Sequence, residues 1–279
     1  MYEIFLYLQD FFMNGCIFSI AVNTIREVTR QSMFYFIICG GILLIFLSFF
    51  FTLFAFGEET RMIQEMGIST IMICCLCLAS LSATITISSE LEKGTMMTLL
   101  CKPVNKKSIL FGKFFGILAI VFLSCGMMGL FLTVSLSIKD SLEYHKGLLS
   151  SFADIGYSVF FELVCSFFQA AIICSIAIAG ALYIPMVSNL SLCLFIYAMG
   201  NSTYFFQKLF QGNEEGFPWY ASIFFIFFPN LSGLNTIGAR IGFQKFNLAY
   251  VALLLLYAIL YIMLVIMLTC EFFNKRECK

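Results

Sequence analysis

The stretch Glu90-Leu-Glu-Lys-Gly-Thr-Met-Met-Thr-Leu-Leu-Cys-Lys-Pro-Val104 lies between two long apolar runs, near 68–88 and 110–138. Each run has the roughly 20 mainly apolar residues that a membrane-spanning helix needs. The stretch between them is neither short nor purely polar. Leu91, Met96, Met97, Leu99, Leu100 and Val104 alternate with Glu90, Glu92, Lys93 and Lys102. A plain connector needs only a few polar residues. This mixture predicts an amphipathic helix that stops at Pro103, whose ring and missing N–H end helical continuation. A helix held off the membrane in this way suggests a docking element for a partner, the other reading being a helix that lies on the lipid headgroups with no partner.

Outward from that stretch, the whole chain reads as membrane. Of its 279 residues 61% are hydrophobic and 11% charged, against about 25% charged in soluble domains. The net charge of zero gives no argument for nucleic-acid binding. Six spans are expected, near 33–56, 68–88, 110–138, 155–184, 188–206 and 248–270, in one domain covering 1–279. Ala221–Phe228, between Pro218 and Pro229, is too short to cross and reads as a re-entrant or interfacial piece. Such backbone survives at membrane depth only inside protein or beside a water-filled cavity. The first apolar stretch carries Glu3 and Asp10 and lacks a basic lead, so no cleavable signal peptide is expected.

Lys and Arg near the span ends set the orientation. With the N-terminus inside, ten fall inside (Arg26, Arg30, Lys93, Lys102, Lys106, Lys107, Lys113, Lys275, Arg276, Lys279) and six outside. Both termini are therefore expected in the cytoplasm, with Pro185–Asn189 as an uncharged inner turn. Ile17–Ser32 combines Ile20, Val22, Ile25 and Val28 with Arg26, Glu27 and Arg30, which suits a helix along the inner interface or a basic lead-in to the first span. None of the 12 Cys falls in an expected outer loop, as reduced apolar thiols would have it. Cys74, Cys75 and Cys77 lie mid-span without a His, so no metal site is read there.

Gly112 and Gly116 form a G-x-x-x-G that permits close helix approach, within the chain or to a second copy. Gly126 and Gly129, Ala79 and Ala83, and Ser175 and Ala179 offer further small faces. The fourth span carries Asp154, Glu162 and Gln169 on one broad face. A carboxylate at such depth faces protein or water. This face is either a polar lining of a translocation path or, for Asp154 and Glu162, interfacial. Asn189-Leu-Ser191, Asn201-Ser-Thr203 and Asn230-Leu-Ser232 match the glycosylation pattern but lie in or beside spans. His145, in an outer loop, carries no assigned role.

Four segments in order resemble the ABC-2 type permeases, the membrane subunits of a class of ATP-driven exporters. Asn23-Thr-Ile-Arg-Glu-Val-Thr-Arg30 is similar to the family's "TxRE" segment before the first span. Glu90–Val104 is similar to its "E…GT…LL…PV". Lys106-Lys-Ser-Ile-Leu-Phe-Gly-Lys113 is similar to its basic entry to the third span, and Glu271-Phe-Phe-Asn-Lys-Arg-Glu277 to its closing tail. Phe228-Pro-Asn-Leu231 fits the same pattern, whereas Asn105-Lys106 stands where Ser-Arg is more usual.

The resemblance implies an all-α, six-span permease in the cell membrane, with an N-terminal interfacial helix (Arg26, Glu27, Arg30) and a cytoplasmic coupling helix between spans 2 and 3. That coupling helix would use Glu90, Glu92, Lys93, Thr95, Leu99, Lys102 and Pro103. It implies a separate cytoplasmic ATPase holding ATP and Mg, and a second permease copy or paralogue in a dimer. The chain itself has no G-x-x-x-x-G-K-[ST] loop, and no enzymatic activity or bound cofactor is expected of it. A non-transporting anchor or scaffold that docks a cytoplasmic partner is the alternative. An intramembrane enzyme is disfavoured by one loop His and scattered carboxylates, and a secondary transporter by the lack of an internal repeat.

Overall fold

The computed structural model describes residues 17–50, 59–92, 106–144, 148–203, 228–234 and 248–275. Among them the chain is helical, with no strand. The helices are α1 (Ile17–Thr29), α2 (Ser32–Ser48), α3 (Glu59–Glu92), α4 (Lys106–Tyr144), α5 (Leu148–Ala181), α6 (Met186–Asn201) and α7 (Leu248–Lys275). Four are long and apolar enough to cross a bilayer, within Glu59–Ile87, Ser108–Ser141, Ile155–Ala181 and Val251–Phe272. A fifth crossing follows if α1 and α2, bent by 68°, form one broken span. This is the pattern of a multi-pass membrane protein.

Two boundaries differ from the apolar runs. The first apolar run is not led into smoothly: Gln31 is extended (φ −78°, ψ 133°) and restarts the helix after Thr29. A single extended residue breaks the hydrogen-bond ladder and makes a sharp kink. The run at 188–206 yields α6, which has 16 residues. At helical rise α6 is about 24 Å long, short of the hydrocarbon thickness of about 30 Å. It starts at Pro185, whose fixed φ suits a helix entry. The turn expected at Pro185–Asn189 is thus the first turn of this short helix.

α3 and α5 form the centre of the bundle. α3 contacts α2, α4, α5 and α6, and α5 contacts α3, α4, α6 and α7. Ile63, Ile71 and Leu76 of α3, Ile117, Met128 and Leu132 of α4, and Ile172, Ile173 and Ile178 of α5 are fully buried. Outward faces stay apolar: Phe36, Phe122, Leu130, Leu253 and Leu260 are all exposed, as a lipid-facing surface requires. Serines and threonines inside α3 bond to carbonyls one turn back, such as Thr84 Oγ1 to Ser80 O at 2.6 Å and Thr86 Oγ1 to Ser82 O at 2.7 Å. That removes their polarity from the helix surface.

Charged groups mark both ends of the α3–α4 pair. Lys139 Nζ reaches Glu59 Oε2 at 2.5 Å, and Lys113 Nζ donates to the Thr86 carbonyl at 2.7 Å. Thr86 and Glu59 are about 40 Å apart along α3 at helical rise. The hydrocarbon core of about 30 Å fits between them. Lys139→Ala is expected to lower stability by at most about 1 kcal/mol, since the pair is partly exposed. A fall of several kcal/mol in detergent unfolding would place that pair inside the apolar core instead.

Candidate functional site

Non-helical backbone returns to the end of α6. Residues 228–231 lack regular structure and lead into a helical turn at 232–234. Pro229 removes an N–H, which suits a segment that no helix completes. Pro229, Leu231 and Leu234 are buried. By helical rise the contact point, Gln169, sits about 20 Å from either end of the α5 span, near its middle. Irregular backbone at that depth must have its polar groups satisfied by protein.

The surrounding helices supply those partners. Gln169 Nε2 donates to the Leu231 carbonyl at 3.0 Å, and the Leu231 N–H donates to the Gly200 carbonyl at 3.2 Å. The Asn230 N–H donates to the Tyr257 hydroxyl of α7 at 3.1 Å. Asn230 Oδ1 accepts from Ser232 Oγ at 2.8 Å and Thr203 Oγ1 at 3.1 Å, and the two hydroxyls lie 2.8 Å apart. Gly200 makes room: a Cβ there would stand 2.8 Å from the Pro229 carbonyl oxygen and 2.8 Å from Leu231 Cδ1. One short segment thereby ties α5, α6 and α7 together.

A second polar tie joins α3, α5 and α6. Asn189 is fully buried and donates to Thr84 Oγ1 at 2.9 Å and to the Ala177 carbonyl at 2.9 Å.

The residues singled out from sequence fall as follows. Gln169 is buried at 2% exposure against the 228–234 segment, while Glu162 is half-buried against Gln64 of α3. Gln64 also approaches Ser158 at 3.5 Å. The two α5 side chains therefore meet different neighbours. The side chain of Asp154 lies outside the described residues. Arg26 and Arg30 are exposed on and just after α1, and Glu27 is half-buried. Glu90 and Glu92 belong to the last turn of α3, with side chains outside the described residues; Lys93, Thr95, Leu99, Lys102, Pro103 and 221–227 lie wholly outside them. Lys113, counted among the inner surface charges, is instead only 3% exposed.

The G-x-x-x-G pair has a partner inside the chain. A Cβ on Gly112 would lie 2.8 Å from Ile20 Cγ2, and one on Gly116 would lie 2.8 Å from Thr24 Cβ and 2.9 Å from the Ala21 carbonyl oxygen. α1 therefore rests on the glycine face of α4.

Comparison with protein-family models and with characterised proteins finds no match to this chain.

The residues that sequence reading missed are Asn189, Thr84, Thr203, Ser232 and Tyr257. The signal for three of them was present, since Asn189, Thr203 and Ser232 belong to the three Asn-x-Ser/Thr patterns. Their value lay in being polar inside apolar runs. Replacing Gln169 by Leu strips the Gln169 side-chain donor from the Leu231 carbonyl, at a cost of about 1–3 kcal/mol. The expected result is a lower thermal midpoint for the detergent-solubilised protein. An unchanged midpoint would mean that this carbonyl finds another donor.

Proposed function

We propose that this chain is the membrane-spanning permease subunit of an ABC-2 type exporter. In this reading a separate cytoplasmic ATPase hydrolyses ATP, and the chain works with a second copy or a paralogue. The observation that carries the reading is the geometry of the α3–α4 pair. α3 runs to Glu92 and α4 starts at Lys106, both beyond the buried Lys113–Thr86 contact. Both helix ends consequently stand near the bilayer margin, where a soluble partner can reach them.

Three further features support the proposal. α1 is bent 68° from α2 and carries exposed Arg26 on a helix seated against α4. That geometry suits a helix lying along the interface. Lys113 links the entry of α4 to the end of α3, so force applied at 93–105 would reach both helices together. The buried broken segment at 228–234 belongs to the kind of irregular backbone found at transport sites. A plain anchor has no need of it.

The test is recovery of the tagged chain from its native membrane in mild detergent, with partners identified by mass spectrometry. The wild-type chain is expected to bring down an ATPase with a phosphate-binding loop. Glu90→Lys with Glu92→Lys is expected to lose it while the chain still accumulates in the membrane. If no ATPase is recovered under conditions that keep such complexes intact, the permease reading fails and the scaffold reading replaces it.

A further inference from the structure

An apolar groove of about 640 Å³ opens between α4 and α5 on the outward face of the bundle. Its walls are aromatic: Phe122 and Phe167 meet edge-on at 5.3 Å at one end, and Tyr157 and Phe160 stand exposed further along. Its floor includes Gly126 of α4 and Gly156 of α5, and a Cβ at either would meet nothing within 4 Å. Two glycines on separate helices thus leave a slot that ordinary side chains would fill. The hydroxyl of Thr133, at the other end, is occupied by the Leu130 carbonyl at 2.9 Å. The volume is within the usual range for small-molecule sites, but the lining offers an occupant almost nothing polar.

The dimensions select the occupant. Phe122 to Thr133 along α4 is about 17 Å at helical rise. That is close to half of the roughly 30 Å hydrocarbon core, or one leaflet. The groove begins near the middle of the α4 and α5 spans and runs toward the α4–α5 connection. A transmembrane helix from a partner would run through both leaflets. The groove lines only one of them. A single extended hydrocarbon thread matches that length.

We propose that this groove is a binding site for one acyl chain of a bilayer phospholipid. The lipid belongs to the leaflet next to the α4–α5 connection. Its tail end lies between Phe122 and Phe167, and its ester region lies near Thr133 and Phe152. Apolar burial holds the chain, and the aromatic walls fix its path. The site depends on the membrane-spanning character of α4 and α5 and is independent of any ATPase partner.

The glycine floor supplies the test. Gly126→Leu and Gly156→Leu, together, fill the slot without meeting any neighbour at Cβ. Gly40→Leu is the matched control, because Gly40 is also open but lies on α2. Each protein is reconstituted into nanodiscs of a phosphatidylcholine carrying a diazirine at the acyl-chain terminus. After illumination, adducts are mapped by mass spectrometry. Wild type and Gly40→Leu are expected to label Phe122–Gly129 and Leu163–Phe167 well above the equally exposed α7 face around Leu256 and Leu260. In the filled variant that labelling should fall about tenfold, the change that 1.4 kcal/mol of lost binding produces, with α7 labelling unchanged. Equal labelling of the groove and α7 in wild type, or groove labelling that survives filling, would overturn the site. So would wild-type groove labelling below the α7 level, which would make a second copy the occupant that shields the groove from lipid.

Discussion

Gly116→Leu detaches α1 from the bundle. The reason is the identity of the atoms that an added side chain meets. A Cβ at position 116 lies 2.8 Å from Thr24 Cβ and 2.9 Å from the Ala21 carbonyl oxygen. Neither is the free end of a flexible side chain, so the α1 backbone itself must move. Overpacking of a well-filled contact commonly costs about 1–3 kcal/mol. Moving α1 also opens the small cluster in which buried Val28 sits with Phe34, Ile38, Leu78 and Ile120. Gly112→Ala is expected to act in the same direction, because Ile20 Cβ at 2.9 Å and the Ile17 carbonyl oxygen at 3.1 Å stand beside Ile20 Cγ2 and neither can rotate away. The readout is the reactivity of a thiol at Thr24→Cys, a position 3% exposed in the wild-type fold. A maleimide adduct on that peptide should form roughly 5–30 times faster in the Gly116→Leu background, the factor that one or two kcal/mol of destabilisation gives. Gly126→Leu, on the same helix but facing open space, should leave the rate unchanged. An unchanged rate with Gly116→Leu would show that α1 does not rest on this face in the membrane.

The glycine pair also shows which parts of the fold were legible. Its spacing announces a close approach, because small residues one turn apart expose the helix backbone. The spacing does not name the partner. Here the partner is α1, a helix more than 80 residues earlier, and only tertiary packing selects it. The α3, α4, α5 and α7 spans were equally readable, since each is a long apolar run. α6 was not. Counting apolar residues carries the run on through Asn201, Ser202 and Thr203, yet α6 ends at Asn201, just before Thr203 meets Asn230 and Ser232. A hydropathy count weighs the polarity of a Thr or Asn but cannot see that a distant segment satisfies it. The same blindness hid Lys113. As a cation near a span end it counted as inner surface charge, while in the fold its long apolar stem lets the ammonium reach the Thr86 carbonyl under cover.

The tie at Asn189 yields the second large effect. Gly180 faces Asn189 so closely that a Cβ added there would collide with Asn189 Oδ1. The amide cannot simply swing aside, because its nitrogen is held by Thr84 Oγ1 and the Ala177 carbonyl, both at 2.9 Å. Gly180→Ala must therefore either push α6 away from α5 or break both bonds. Strain from overpacking is about 1–3 kcal/mol, and interhelical bonds in membranes contribute up to about 1.7 kcal/mol each, so the expected loss is about 3 kcal/mol. Asn189→Ala alone forfeits the bonds and leaves a small cavity, for about 2 kcal/mol. The double variant separates these causes. With the amide gone, the new methyl at position 180 occupies the space it left, so the two losses should not add. A coupling of about 1–2 kcal/mol in favour of the double variant is expected, read from equilibrium unfolding in mixed micelles. Strict additivity would show that position 180 and Asn189 are not in contact, and with that the seam between α5 and α6 would lose its polar lock.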